Sequence, residues 1–128
     1  MKILLTLFVL LISPSVLSKD EILFCSQDQH TGFKDTDSTG NYKQVDFVEE
    51  KFKAKVNFNN EIFSSNDLKM SDTTCVDYGS FMQCIDLGYS ISINKKSYDF
   101  ILSKGFGHIG SGDVYDTISI SYGTCEKF

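Results

Sequence analysis

The chain has 128 residues, with 12 Lys and no Arg against 17 Asp and Glu, and a formal net charge of −5. That acidic balance excludes the broad basic surface that nucleic acid or an anionic membrane would need. The absence of Arg removes the usual bidentate grip on phosphate or carboxylate ligands.

The opening "MKILLTLFVLLISPSVLSKDE" predicts a secretory signal peptide over residues 1–18. Lys2 supplies the positive start. Ile3 to Ile12 form an apolar run too short to cross a bilayer, Pro14 breaks it, and Val16-Leu17-Ser18 suits cleavage after Ser18. Cys25 lies too far beyond that point to mark a lipoprotein. Residues 19–128 remain as a single domain, and the expected location is the periplasm or the medium. No membrane span is expected after cleavage.

The rest of the chain is dominated by period-two alternation. "EILFCSQ" reads as the first strand and "NYKQVDF" as the second. "KFKAKVNF" sets Phe52, Ala54, Val56 and Phe58 on one face and lysines on the other. Asn59-Asn60 reads as a two-residue turn, and "EIFSS" returns from it. "SFMQCID" is a shorter strand with a weaker pattern. "YSISIN" and "SYDFILS" form a pair around Lys95-Lys96, with Tyr98, Phe100 and Leu102 inward. In "DTISISYGTC", Ile118, Ile120 and Tyr122 alternate with Thr117, Ser119 and Ser121. The apolar set is the natural inward face, with Gly123 a candidate bulge that resets the parity before Cys125. No segment carries a convincing helical period. The expected fold is all-β: a small antiparallel β-barrel or sandwich of about 7–8 strands, with the last strand pairing with the first.

Four cysteines in an exported chain of this size read as disulfides. Three pairings are possible, and Cys25–Cys125 with Cys75–Cys84 is the favoured one. Zinc is disfavoured, because the CxxC-like spacing it uses is absent.

Two motifs invite chemistry. "DTDSTGNYKQVD", Asp35 to Asp46, has the length and the glycine of a calcium loop, with Asp35, Asp37, Thr39 and Asp46 as the candidate metal ligands. Lys43 stands where a water-bridging ligand belongs, and Asp46 is too short for the bidentate Glu at the last position. A polar hairpin loop explains the same residues. "GFGHIG", Gly105 to Gly110, matches a dinucleotide fingerprint, but no helix follows it. It reads better as a glycine-rich loop displaying Phe106, His108 and Ile109 as a candidate binding surface. No G-x-S-x-G elbow occurs; a small hydrolase, the third reading, would require His30 or His108 to sit in a cleft beside Asp and Ser. No catalytic residue is assigned, and no cofactor is expected.

Several features together resemble a known group. They are Cys25, "TGF" at Thr31–Phe33, "NYK" at Asn41–Lys43, "KF" at Lys51–Phe52, "SSNDLKMS" at Ser64–Ser71, Cys75, Cys84 and the closing "SYGTCEKF". They resemble a family of short exported proteins of AT-rich marine bacteria. The resemblance implies export and a shared fold, with no activity attached. In architecture alone the chain is similar to the periplasmic barrels that inhibit C-type lysozyme, without a match to their inhibitory loop. The expected function is a non-enzymatic binding module of the cell envelope, contacting an envelope or extracellular protein. The alternatives are a barrel holding a small hydrophobic ligand among Phe52, Phe58, Phe100 and Ile118, and a weak calcium-binding loop.

Overall fold

A single long strand carries the closure of the fold. The computed structural model describes residues 19–35, 41–106 and 117–128. The expected signal peptide, residues 1–18, lies outside these described residues, as do Asp37, Thr39, His108 and Ile109. Within them the chain is all-β, with nine strands. These are β1 (Glu21–Asp35), β2 (Tyr42–Asp46), β3 (Lys51–Asn57), β4 (Ile62–Ser65), β5 (Met70–Asp77), β6 (Phe81–Asp86), β7 (Tyr89–Asn94), β8 (Asp99–Phe106) and β9 (Thr117–Lys127).

Eight of them close an antiparallel barrel in the order β1-β3-β4-β5-β6-β7-β8-β9, and β9 returns to β1. Closure pairs the backbone groups that an open sheet would leave at its edges. Along one edge, β1 pairs with β9 over nearly its whole length. Along the other, its first half pairs with β3 and its second half with β2. β2 is therefore an extra strand outside the closed ring. The expected first strand was shorter, ending at Gln27, because the polar stretch that follows shows no clean alternation. The cause is a bulge between Gln27 and Gln29, where β1 slips one residue against β9. A bulge flips the faces beyond it, so no one alternation runs through the strand. β5 also went unread, since "MSDTTCVD" is too polar to announce itself.

The tight turns follow from residues that accept positive φ. β6 and β7 are joined by Leu87-Gly88, at φ 33° and 92°, with Asp86 directly opposite Tyr89. Both central residues at positive φ make the kind of two-residue turn whose twist suits a hairpin. The expected two-residue turn at Asn59-Asn60 is instead a four-residue turn from Phe58 to Glu61, since Asn57 pairs with Ile62. The Asn57 side-chain oxygen accepts from the Asn60 N–H at 2.9 Å and holds it. At Lys95-Lys96 the turn is likewise longer, and the Asn94 side chain accepts from both Lys96 and Ser97.

The core fills one end of the barrel. Leu23, Val56, Phe63, Met82, Ile91 and Ile93 are buried completely. Phe52 and Phe100 meet edge to face at 5.1 Å between ring centres, a favoured aromatic geometry. Both disulfides join residues directly opposite each other on neighbouring strands: Cys25 with Cys125, and Cys75 with Cys84. All four cysteine side chains point into the core. The favoured pairing is therefore the one present, and among the described residues no cysteine is free.

β9 reverses the sequence expectation. Ser119, Ser121, Gly123 and Cys125 face inward, while Ile118, Ile120 and Tyr122 face outward. No bulge at Gly123 resets the parity; the bulge is in β1, on the facing strand. The physical reason is Cys125. It must face inward to reach Cys25, and an unbroken strand then carries every second residue before it to the same side. Gly123 stands where β1 comes close: a Cβ there would lie 1.9 Å from the Ser26 carbonyl oxygen.

Candidate functional site

Of the candidate metal ligands, Asp35 and Asp46 fall within the described residues, and they stand apart. Asp35 lies opposite Tyr42, and Asp46 lies opposite Thr31, four residues away along β1. At about 3.3 Å per residue that separates the two positions by roughly 13 Å along the ladder. A single calcium ion, with oxygen ligands at about 2.3–2.6 Å, does not take both. Asp35 and Asp46 thus belong to the two ends of a hairpin ladder, while Asp37 and Thr39 lie outside the described residues. Of the glycine-rich loop, Gly105 and the backbone of Phe106 continue β8, opposite Ile118 and Thr117. His108 and Ile109 lie beyond the description.

Two regions do concentrate chemistry. The first is the outer face of β8, β9 and β1. Ile101 pairs with Tyr122, Ser103 with Ile120, and Gly105 with Ile118. On the other side Ile120 meets Thr31, and Ile118 meets Phe33. The outward positions of this patch carry no charge. Ile101, Ile120 and Tyr122 are each a little over half exposed, and Phe33 nearly as much. Beside them, Phe81, Ile101 and Tyr122 line a shallow groove of about 600 Å³ that reaches Asp28 in the bulge.

The second region is the open mouth of the barrel, beyond the apolar core. A cavity of about 230 Å³ opens there among Gln27, His30, Tyr89, Lys104, Ser119 and Ser121. The bulge makes this possible, because it turns His30 to the inside together with Ser121, its neighbour across the ladder. Gln27 ties the mouth together. Its amide donates to Ser121 Oγ at 2.9 Å, its carbonyl oxygen accepts from the Glu50 N–H at 2.8 Å, and its backbone N–H donates to the Glu50 carbonyl. The segment from Phe47 to Glu50 is thereby strapped over β1. Phe47 packs on the His30 ring at 4.8 Å, and the Phe47 N–H donates to the His30 carbonyl. Lys104 lies over the Tyr89 ring, 5.7 Å from its centre.

The hydrophobic-ligand expectation needed a hollow lined by Phe52, Phe58, Phe100 and Ile118. Phe52 and Phe100 instead fill the core, Phe58 packs at its edge, and Ile118 faces outward. Of the residues that line the mouth, Gln27, Lys104, Ser119 and Ser121 went unread in the sequence. Counting back by twos from Cys125 would have found the serines.

At the closed end, charge secures the junction of β1 and β9. Lys127 Nζ donates to Glu21 at 2.7 Å, and Tyr98 Oη donates to the other carboxylate oxygen at 2.9 Å. Burial alone would raise the Glu21 pKa, but these two hydrogen bonds and nearby lysine charge outweigh it and hold the carboxyl below its ordinary range. Tyr98 is pushed up, first by burial and then by its bond to Glu21. Lys127 is raised by the same carboxylate. Among the described residues no cluster of three or more His, Cys, Asp or Glu is arranged to hold a metal ion.

No family model, curated protein or solved structure matches this chain.

Proposed function

We propose that this is an exported, non-enzymatic binding module whose contact surface is the uncharged outer face of β8, β9 and β1. Two cross-strand disulfides suit an oxidising compartment. The signal-like start and the resemblance to short exported proteins accord with delivery to the periplasm or the medium. The observation that carries the reading is the outward set Ile101, Ile118, Ile120, Tyr122 and Phe33, on a chain whose net charge is −5. A contiguous apolar patch free of charge is the usual mark of a protein-contact surface. The groove beside Tyr122 is shaped to take an apolar side chain of the partner, and the exposed tyrosine is a residue type enriched at such anchors.

The partner expected is an envelope or extracellular protein with its own apolar anchor. The test is capture from envelope extract by the oxidised chain, compared with Ile101→Lys/Tyr122→Lys and with a control, Thr74→Lys, at an exposed position of β5, across the eight-stranded ring from β9. A species retained by the control and lost by the double variant supports the reading. Equal capture by all three overturns it. Sedimentation equilibrium at increasing concentration reports whether the captured species is a second copy of the chain.

A further inference from the structure

The uncharged outer patch runs at one end into the groove beside Tyr122, and acid stands on two sides of that groove. Its place follows from the strand register. Ser92 of β7 lies opposite Ile101 of β8, and Ile101 lies opposite Tyr122 of β9. Phe81 of β6 enters from the other side, opposite Asn94. Phe81, Ile101 and Tyr122 are all exposed, and they supply the apolar lining. The Phe81 ring stacks on Tyr78 with 5.0 Å between ring centres, so one wall is braced from behind.

Two carboxylates belong to the same lining, Asp28 and Asp99. Asp28 is the extra residue of the β1 bulge, between Gln27 opposite Gly123 and Gln29 opposite Tyr122, and it is exposed. Asp99 opens β8 opposite Thr124 and accepts the Ser97 hydroxyl at 2.6 Å, which holds it in place. Only β9 stands between β8 and β1. Neighbouring strands lie about 4.8 Å apart, so two steps set the two positions roughly 10 Å from each other. Among the described residues no lysine lines the groove. Lys95, in the turn before β8, is paired with Asp77. Lys51, opposite Ser26 on the far side of β1, lines a separate depression with Asp67 and Glu126.

An apolar groove flanked by acid discriminates between partners. An acidic segment would be repelled, and a basic one would be drawn in, because like charges across an interface cost and opposite charges steer. The net charge of −5 acts in the same direction over longer range. Lysine and arginine also carry aliphatic stems that lie on apolar surface while their heads reach its polar edge. We infer that the groove docks an extended segment of a partner protein with two basic residues three positions apart and an apolar residue between them. The basic heads meet Asp28 and Asp99, and the apolar side chain lies against Phe81, Ile101 and Tyr122. Three residues of extended chain span about 10 Å, which matches the spacing of the carboxylates. This inference rests on the outer-face reading and adds to it the chemistry of the partner.

The test is NMR titration of the isotope-labelled, oxidised chain at low salt with the capped peptide Lys-Leu-Ser-Lys. Gln-Leu-Ser-Gln, Glu-Leu-Ser-Glu and Lys-Ser-Ser-Lys are the comparison probes. The first peptide is expected to bind at millimolar concentration, with amide shifts centred on Ile101, Tyr122 and Thr124, and to bind more tightly than the other three. Asp28→Asn/Asp99→Asn should weaken it about fivefold, as for two exposed ion pairs, and added salt should weaken it too. Asp28→Asn alone should weaken it about twofold and serves if the double variant melts early. Asp72→Asn, at an exposed position of β5 across the ring from β9, should leave it unchanged. Absent shifts, shifts centred elsewhere, equal binding of the Gln or the Ser-Ser peptide, or unaltered affinity in both Asp variants would each overturn the inference. Capture from extract separates it from the reading beneath it. Capture that needs Ile101 and Tyr122 but neither aspartate overturns the basic-segment inference and leaves the outer-face reading standing. Capture that needs none of the four overturns both.

Discussion

β3 and β9 carry the same kind of alternation and face opposite ways. β3 turns Phe52, Ala54 and Val56 into the core and Lys51, Lys53 and Lys55 to water. β9 turns Ser119 and Ser121 inward and leaves Ile118, Ile120 and Tyr122 outside. Period two separates the two faces of a strand but does not say which one is buried. In β3 lysine makes the choice, because an ammonium stays in water unless it is paired. In β9 both faces are uncharged from Thr117 to Thr124, and the choice falls to Cys125. A covalent bond to Cys25 outweighs the transfer of two or three aliphatic side chains.

The bond that orients β9 is the place to break this comparison most sharply. Replacing Cys25 and Cys125 together by Ala should cost about 4–5 kcal/mol in the chain-entropy account of a loop this long. Urea unfolding would measure it. Hydrogen exchange on the same variant would show whether β9 keeps its register without the tether.

Single side chains sharpen the contrast. Phe52→Ala empties part of the core and is expected to cost about 3–5 kcal/mol. Ile120→Ser, an equally apolar deletion on the outer face, should stay within about 0.5 kcal/mol. Equal losses would mean that the outer face of β9 is covered in the folded chain.

Two substitutions that alternation alone would permit should fail. Gly123→Ala drives a Cβ against the Ser26 carbonyl, which is backbone and cannot swing aside. Ser121→Ile crowds the inner wall and strips Gln27 of its hydroxyl acceptor. Each is expected to cost about 1–3 kcal/mol by chemical unfolding.

The smallest effect lies at the junction of the ends. Glu21 has its pKa lowered in the fold, so its contribution is present near neutrality and is lost as pH falls through the folded value. Lys127 and Tyr98 are raised, so theirs is present below the ordinary Tyr and Lys range and is lost as pH climbs through it. The melting temperature should fall toward both extremes, and Glu21→Gln should flatten the acid limb. An unchanged acid limb would remove Glu21 from that role. Asp77 responds in the same direction as Glu21, held low by its hydrogen bond from Lys95.

Much of the fold was legible for a physical reason. Alternation with charge on one face names a half-buried strand, as in "KFKAKVNF". An even cysteine count in a chain with a signal-like start names disulfides. The site was less legible. The bulge at Asp28 turns His30 inward, and it appears in the sequence only as a run of polar residues. The straps from Phe47 and Glu50 reach β1 through hydrogen bonds between residues about twenty positions apart. No local pattern encodes those.

By itself the amino-acid order determined the class of structure: antiparallel ribbons, their approximate bounds, and two cross-links. These rest on neighbours in the chain, where steric and solvation preferences act residue by residue. Only the closed barrel decided which face of β9 is inside, where His30 points, and that Lys104 and Asp67 share one opening. Those outcomes depend on ring closure, which joins the first strand to the last and lets a distant bond overrule a local preference.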